Sequence, residues 1–178
     1  MRRDSISLVG FMCSGKSAIG RRLATTLGLD FVETDSLVES AAGMPIREIF
    51  ERFGEEHFRD MEHTAVEEAT RRNDCVIACG GGVVTRDENV QLLRERTTVV
   101  WLDVAVAEVV RRLAGQPGTR PLLSGPDPQS AAAELLALRK PLYEHAADIR
   151  IPTSDRPPDE IVERVVIALE DHDGRTDR

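Results

Sequence analysis

Short apolar runs alternate along the chain with longer segments in which apolar residues recur every three or four positions. The runs have the length of β-strands, and the recurrence is typical of amphipathic helices. One run, TTVVWLDV, is apolar through most of its length, which is expected of a strand buried on both faces. The predicted strands are SISLVG (5–10), DFVETD (30–35), CVIACGGG (75–82), TTVVWLDV (97–104) and DIRIP (148–152).

Helical spacing occupies most of the intervals between these strands. The predicted helices cover 16–27, 47–72, a segment that begins near Val106, a segment that ends near His145, and 158–170. Gly54 interrupts the second of these and is predicted to divide it into two helices. Residues 114–128 hold seven Gly or Pro residues in fifteen, which predicts a mobile loop.

The alternation of strands with helices predicts a single α/β domain over residues 1–170. Its sheet should be mostly parallel and covered by helices on both faces. A chain of 178 residues is long enough for one domain with a substantial core and too short for two ordinary ones. Residues 171–178 are predicted to form a flexible tail.

The charge balance limits the kinds of partner. With 23 Lys or Arg and 31 Asp or Glu residues, the net charge is −8, and the chain has no concentrated basic block, so nucleic-acid binding is not expected. No run reaches the roughly 18 apolar residues of a membrane span. The basic start, MRRDSISLVG, is interpreted as a first strand because its apolar run is too short for a signal peptide. These features predict a cytoplasmic protein without a membrane partner.

The three cysteines are predicted to be free thiols. Cys75 and Cys79 would lie on one strand at roughly 13 Å from each other, which is too far for a disulfide. The residues that flank them do not supply enough further ligands for a metal site.

Residues 10–17, GFMCSGKS, match the phosphate-binding pattern G-x-x-x-x-G-K-S between a predicted strand and a predicted helix. In such a loop the backbone N–H groups surround phosphate oxygens, and the positive end of the following helix adds to the attraction. Lys16 can reach the β and γ phosphates, and the Ser17 hydroxyl can bind Mg²⁺. A glycine turn without a ligand is the weaker alternative. The predicted nucleotide-binding residues of the loop are Cys13, Ser14, Gly15, Lys16, Ser17 and Ala18.

Cys13 occupies a loop position where a small residue, usually glycine, would be expected. Cysteine is small enough to fit there if its φ angle is negative.

Three further features point to the second substrate. Asp35 ends the second predicted strand, at the sheet edge where open α/β folds bind ligands. Arg59 and Glu62 lie three residues apart and share one helical face. GGGVV (80–84) ends the third predicted strand with its backbone open to a ligand. Structural alternatives stay open: Asp35 could cap a helix over SLVES, while Arg59 and Arg139 could be solvated surface charges.

The chain resembles the shikimate kinase family over roughly residues 5–170. The resemblance rests on GFMCSGKS, ETD, FRDME, CGGGVV, RPLL and LRKPLY, which occur in the family's order and spacing. It implies a three-layer P-loop kinase fold similar to that of nucleoside monophosphate kinases, with a five-stranded parallel sheet and a mobile lid at about 114–128. It also implies transfer of the γ-phosphate of ATP to the 3-hydroxyl of shikimate, on the path to chorismate and the aromatic amino acids. Mg²⁺ would be the cofactor, and a monomer is expected.

The resemblance assigns roles in binding the acceptor. Asp35 would bind the ring hydroxyls and orient or deprotonate the attacking one. Arg59, held in place by Glu62, and Arg139 would bind the shikimate carboxylate, because the planar guanidinium fork matches a carboxylate. The glycines that offer backbone contacts to the ring would be Gly80, Gly81 and Gly82.

It also assigns roles around the nucleotide. Lys16 and Arg120 would stabilise charge on the transferred phosphate, with Arg120 moving over the phosphates when the lid closes. Arg112 and Arg156, with Pro158 close by, would flank the adenine. The predicted catalytic residues are then Asp35, Lys16 and Arg120.

One position departs from the family pattern. Where the family usually has Asp-x-Asp, this chain has Glu33-Thr34-Asp35. Glu33 keeps the negative charge near Mg²⁺ but reaches one methylene further, so Ser17 and Glu33 are predicted to hold the metal, Glu33 through water or with a small displacement. Two other functions stay compatible with the sequence: a related kinase for aminoshikimate or gluconate, and a nucleotide-binding regulator without catalysis.

Overall fold

The computed structural model describes residues 5–114 and 127–176, and within these ranges it contains one sheet of five strands. The strands are β1 (Ile6–Val9), β2 (Asp30–Glu33), β3 (Cys75–Ala78), β4 (Thr98–Asp103) and β5 (Ile149–Pro152). They are ordered β2-β3-β1-β4-β5, and each pair of neighbours is parallel. The predicted five-stranded parallel sheet is therefore confirmed.

Seven α-helices occur in the same ranges. They are α1 (Lys16–Leu27), α2 (Thr34–Ala42), α3 (Ile46–Thr70), α4 (Asp87–Arg96), α5 (Val106–Ala114), α6 (Pro128–Ala146) and α7 (Pro158–Thr176), and a 3-10 turn (Val83–Thr85) precedes α4. The prediction for α1 has the correct bounds. Helix α2 replaces the end of the predicted strand DFVETD, and α4 is absent from the prediction because its sequence, DENVQLLRER, is mostly polar. Helix α7 runs beyond the predicted end at residue 170, so the tail is helical as far as residue 176.

The helices cover both faces of the sheet, and β4 shows how the sequence makes this possible. Val99 and Trp101 belong to the apolar core shared with α3, α4 and α6, whereas Val100 and Leu102 belong to the core shared with α1 and α7. All four side chains are almost completely buried. Burial of each such side chain favours folding by roughly 1.5–3 kcal/mol before chain entropy is counted. Helix, sheet and helix form the three predicted layers.

The carboxyl ends of the parallel strands meet at one edge of the sheet, where open α/β folds bind ligands. Gly10 follows the central strand β1 at this edge with a φ of 147°. A Cβ atom added to Gly10 would lie 2.5 Å from the carbonyl oxygen of Leu102, so only glycine fits there. Thr34 and Gly80 follow β2 and β3 at the same edge and are joined by a hydrogen bond from the Gly80 amide to the Thr34 hydroxyl, at 3.0 Å.

Helix α3 is kinked at Gly54, whose φ and ψ are 83° and 175°. The predicted division of this segment at Gly54 is therefore confirmed. Residues 115–126, most of the predicted lid over 114–128, lie outside the described residues, as does Arg120.

Two further observations concern the membrane and cysteine predictions. None of the described helices combines the length and the apolar composition that crossing a membrane would require. All three cysteines are free thiols, of which Cys75 and Cys79 are buried and Cys13 is half-buried.

Candidate active site

The loop between β1 and α1 has the conformation of a phosphate cradle. Gly10 and Gly15 adopt φ angles of 147° and 93°, which a glycine tolerates and which fold the backbone around a concavity. The Lys16 ammonium group donates hydrogen bonds to the carbonyl oxygens of Gly10 and Phe11, at 2.8 and 2.9 Å. Lys16, Ser17 and Ala18 form the first turn of α1, which contains no acidic residue. The N–H groups and positive end of α1 are thus available to an anion.

Cys13 does not meet the condition under which a cysteine would fit the loop without strain. Its φ is 60°, in the left-handed region, where a Cβ atom crowds the backbone and costs a non-glycine residue roughly 1–2 kcal/mol. The sequence could not reveal this angle, because the glycine pattern of the loop constrains residues 10 and 15 but leaves the residues between them open.

The substitution Cys13→Gly is expected to increase the free energy of unfolding by up to about 1 kcal/mol, because glycine removes the left-handed strain at a smaller entropic cost. Denaturant unfolding of the purified protein measures this change. Cys13→Ser is the matched control, since it removes the thiol and keeps the Cβ atom, and it should leave stability nearly unchanged. A Cys13→Gly protein less stable than the parent would contradict the assignment of strain.

Ser17, Glu33 and Arg21 form a connected set beside the loop. The Ser17 hydroxyl donates a short hydrogen bond to one carboxylate oxygen of Glu33, and Arg21 donates to the other oxygen at 3.2 Å. A hydroxyl and a carboxylate are hard oxygen donors of the kind Mg²⁺ prefers. The two predicted metal residues therefore lie together and fit this ion.

Asp35 lies in the first turn of α2, two residues after β2 ends. Glu33 occupies the N-cap position of α2 and makes no side-chain capping bond, so the alternative role of Asp35 as the helix cap is wrong. Thr34 is fully buried and accepts the hydrogen bond from the Gly80 amide. This bond connects the start of α2 to the glycine segment, residues 80–82. Sequence reasoning assigned no role to Thr34, although it stands between two predicted site residues.

Arg59 is held by two carboxylates on α3. Its guanidinium lies 2.7 Å from Glu62 and 2.9 Å from Glu55, and only 15% of its side chain is exposed. The predicted Arg59–Glu62 pair is confirmed, and the alternative of an exposed helix charge is wrong. Burial raises the pKa of Glu62, and the neighbouring Arg59 partly offsets this effect. One oxygen of Glu62 is buried without a hydrogen-bond partner among the described residues.

Arg139 and Tyr143 lie one turn apart on α6 and contact the same backbone group. The Gly81 carbonyl oxygen accepts hydrogen bonds from the Arg139 guanidinium at 3.3 Å and from the Tyr143 hydroxyl at 2.5 Å. Arg139 is 5% exposed, so its interpretation as a solvated surface charge is wrong. Burial raises the pKa of Tyr143, which keeps its hydroxyl protonated as a donor. Tyr143 is the last residue of the motif LRKPLY, which was its only signal in the sequence.

A cavity of about 600 Å³ brings together the predicted acceptor-binding residues. Asp35, Arg59, Arg139 and residues 80–82 line it. Glu33 and Glu62, which were predicted for other roles, also line it. The remaining lining, to which sequence reasoning gave no role in the site, consists of Met12, Ser36, Glu39, Pro45, Ile46, Arg47, Phe50 and Phe58. The cavity therefore joins cationic, acidic and apolar surfaces next to the phosphate-binding loop.

The predicted adenine residues lie on two other elements. Arg112 on α5 donates hydrogen bonds to the Cys13 carbonyl oxygen at 2.5 Å and to Glu108 at 2.6 Å, so it contacts the phosphate-binding loop directly. Arg156, which precedes α7, forms an ion pair with Glu160. Hydrogen bonding from Arg156 holds the pKa of Glu160 below its ordinary value.

A larger open groove, about 810 Å³, is lined by residues of α1 and α7 alone. It includes neither residues 80–82 nor the two arginines, Arg59 and Arg139. We therefore assign the candidate active site to the smaller cavity.

A phosphate-binding loop after the central strand, and an acceptor cavity at the same edge of a parallel sheet, define a P-loop kinase. The family model for shikimate kinase matches residues 12–170. The chain belongs to the shikimate kinase family, and it is an enzyme of the kinase class.

Similar proteins agree with this assignment. The shikimate kinase of Corynebacterium efficiens is 44% identical over 171 residues, which cover 96% of this chain and 99% of the relative. A solved shikimate kinase from Acinetobacter baumannii, in complex with shikimate, is 34% identical with a TM-score of 0.90 and covers 94% of this chain and 93% of that one. A gluconokinase from Sinorhizobium meliloti shares the fold, with 18% identity, a TM-score of 0.59 and coverage of 96% and 94%.

Proposed function

We propose that this enzyme transfers the γ-phosphoryl group of ATP to the 3-hydroxyl of shikimate, through the residues of the cavity beside the phosphate-binding loop. The observation that carries the proposal is the convergence of two guanidinium groups with the carboxylate of Asp35 in one cavity: Arg139, which is buried, and Arg59, which is mostly buried. Shikimate offers a carboxylate and ring hydroxyls, which these groups complement.

The two arginines suit a carboxylate on the acceptor. A guanidinium has five N–H donors in a planar fork, and the Gly81 carbonyl oxygen accepts only one hydrogen bond from Arg139. Arg59 is oriented by Glu55 and Glu62, which restrict its rotation without removing all of its donors. In a cavity with restricted solvent, such charge-assisted bonds are stronger than bonds between neutral groups.

Asp35 would orient the attacking hydroxyl and accept its proton. A Cβ atom added to Gly80 would lie 2.8 Å from a carboxylate oxygen of Asp35 and 2.5 Å from one of Glu62. A side chain at position 80 would collide with both acids, so glycine lets the two carboxylates lie against the backbone of the cavity wall. Asp35 would then hold the nucleophile in line for attack, and positioning is the main demand of phosphoryl transfer.

Negative charge on the transferred phosphoryl group would be stabilised by the phosphate-binding loop. The Lys16 ammonium, the loop N–H groups and the positive end of α1 would surround the phosphate. Arg120 would add a further positive charge from the lid. Mg²⁺, held by Ser17 and by Glu33 through water, would supply Lewis-acid neutralisation of phosphate charge when bound.

The nucleotide base would lie between Arg112 and Arg156, with Pro158 at the start of α7. The contact of Arg112 with the Cys13 carbonyl oxygen supports this position, because it brings α5 against the phosphate-binding loop. All the site residues come from one chain, so the proposal needs no second subunit. ATP as donor would place the reaction in the cytoplasm.

An acceptor screen tests the proposal. Purified protein with ATP and Mg²⁺ is assayed for ADP release with shikimate, quinate, gluconate and aminoshikimate. Shikimate is expected to give the highest kcat/KM. Preference for gluconate or aminoshikimate would indicate a related kinase, and nucleotide binding without ADP release for any acceptor would indicate a regulator; either result contradicts the proposal.

The substitution Arg139→Ala is expected to raise the KM for shikimate by about two orders of magnitude, because a buried charge-assisted pair contributes roughly 2–3 kcal/mol. The Kd for ADP should stay within about twofold of the parent value. Steady-state kinetics and calorimetry provide the two numbers. Lys140→Ala is the matched control, since Lys140 is the next residue of α6 and is exposed. An equal loss of nucleotide and shikimate affinity in Arg139→Ala would contradict the assigned role.

A further inference from the structure

We propose that Arg21 is a positioning residue that strengthens the coupling between Mg²⁺ and nucleotide binding, acting through Glu33 on the hydroxyl of Ser17. The inference rests on the proposed Mg²⁺–nucleotide site, and Arg21 itself contacts neither ligand in this scheme. It explains how this chain uses a glutamate at a position where the sequence pattern led us to expect an aspartate.

The three side chains form a directional series of hydrogen bonds. Arg21 donates to one oxygen of Glu33 at 3.2 Å, and the other oxygen accepts from the Ser17 hydroxyl. A serine hydroxyl has one proton and two lone pairs. When the proton is directed to Glu33, both lone pairs are left for a cation. Glu33 thereby fixes the orientation in which Ser17 can serve as a metal ligand.

Arg21 has a second contact, with an aromatic ring on the same strand as Glu33. Its guanidinium carbon lies 4.5 Å from the centre of the Phe31 ring, within the range of a cation–π contact. The ring in turn packs closely on Gly20, where an added Cβ atom would lie 2.6 Å from a Phe31 ring carbon. Phe31 and Glu33 are two residues apart on β2, so their side chains emerge on the same face of the strand.

Glu33 benefits from being held by Arg21 because its side chain is longer than that of an aspartate. Glutamate has one more rotatable bond than aspartate, and ordering a side chain of this type costs up to roughly 1.5–2 kcal/mol in rotamer entropy. An arginine that already holds the carboxylate reduces the entropy that remains to be lost when the metal binds. The positive charge of Arg21 also opposes a cation, but 64% of its side chain is exposed and Glu33 neutralises it, so solvent screening weakens that repulsion.

The experiment measures the metal coupling of ADP binding. The Kd of ADP is determined by calorimetry in EDTA and in saturating Mg²⁺, and the ratio of the two values is compared among variants. For Arg21→Gln the ratio is expected to fall by about tenfold, the lower bound typical of groups that orient metal ligands. The Kd in EDTA should stay within twofold, because the loop contacts to phosphate are unchanged.

Two further variants separate positioning from charge. Arg21→Lys keeps the positive charge without the planar fork and should restore only part of the ratio. Phe31→Leu keeps Arg21 and removes the aromatic ring, and it should lower the ratio in the same direction. Arg22→Gln is the matched control, since Arg22 lies next on α1, is half exposed and pairs with Asp159 at 3.1 Å instead. Its ratio should equal that of the parent.

Several results would overturn the inference. They are an unchanged or increased ratio in Arg21→Gln, or an equal loss of ADP affinity with and without Mg²⁺. If Arg21→Gln does not fold, Phe31→Leu and Arg21→Lys decide the question by the same ratio. A parent protein that binds ADP without any Mg²⁺ coupling would overturn both the inference and the proposed metal site, whereas a coupled parent with an unaffected Arg21→Gln overturns the inference alone.

Discussion

Asp35→Asn is expected to lower kcat by about three orders of magnitude, within the range that a positioned general base contributes. The amide has almost the same size and still forms hydrogen bonds, so it can occupy the same place in the first turn of α2. It cannot accept the proton of the attacking hydroxyl. The Kd for ADP should change by less than about twofold, because Asp35 lines the acceptor cavity and the phosphate-binding loop is formed by other residues.

The measurements are kcat at saturating shikimate and the Kd of ADP by calorimetry. Asp30→Asn is a matched control, because Asp30 is an exposed carboxylate at the start of β2, the end opposite Glu33. It undergoes the same chemical change and should leave kcat unchanged. A kcat for Asp35→Asn within tenfold of the parent would show that Asp35 is not the base, and a large loss of ADP affinity would place it with the nucleotide instead.

The sheet and the phosphate-binding loop were accessible to prediction because each leaves a strong local pattern. Strands buried on both faces are apolar at nearly every position, and Gly10, Gly15, Lys16 and Ser17 have a fixed spacing. Helix α4 leaves no such pattern, because most of its side chains are exposed and few apolar residues mark its buried face. Helix α2 begins directly after β2, so its first residues were interpreted as strand.

Whether Arg59 and Arg139 are exposed or buried could not be predicted from the local sequence. An arginine on a helix is either solvated or buried with a partner, and the choice depends on elements far along the chain. Arg59 is buried because Gly82 leaves space for its guanidinium, and Arg139 because the Gly81 carbonyl oxygen accepts its hydrogen bond. The spacing of Arg59 and Glu62 indicated an ion pair but not its burial. Family resemblance supplied what periodicity could not.

Phe50 and Phe58 show that a core residue and a cavity residue cannot be distinguished in the sequence. Both lie in the segment predicted as helical, 47–72, and they pack together with ring centres 4.6 Å apart. They also line the acceptor cavity. A core residue and a cavity residue have the same sequence signature, because both present an apolar side chain on the buried face of a helix. Only the arrangement of α2 and α3 around the glycine segment distinguishes them.

The glycine segment itself yields the second large effect. Gly82→Ala is expected to raise the KM for shikimate by about two orders of magnitude, comparable to the loss of a buried charge-assisted pair. An added Cβ atom would lie 2.2 Å from one guanidinium nitrogen of Arg59 and 2.5 Å from its central carbon, so the guanidinium must move. Gly82 has φ of −99° and ψ of 0°, which alanine can adopt, so the effect comes from this contact and not from backbone strain.

The displacement of Arg59 should also reduce stability. Glu62 is 1% exposed, and removing the partner of a buried charge costs roughly 3–5 kcal/mol, of which a guanidinium that moves without leaving should lose only a part. Denaturant unfolding at neutral pH measures this loss. The Kd of ADP should remain that of the parent, because Arg59 lines the acceptor cavity and the phosphate-binding loop is formed by other residues.

A double-mutant cycle with Arg59→Ala isolates the contact. If the alanine at position 82 acts by displacing the guanidinium, then adding Gly82→Ala to the Arg59→Ala protein should change the KM for shikimate by less than about twofold, since the clashing group is already absent. Additive effects of the two substitutions would mean that Gly82 acts by another route, such as direct contact with the substrate. The cycle therefore decides whether Gly82 acts through the position of Arg59 or through direct contact with shikimate.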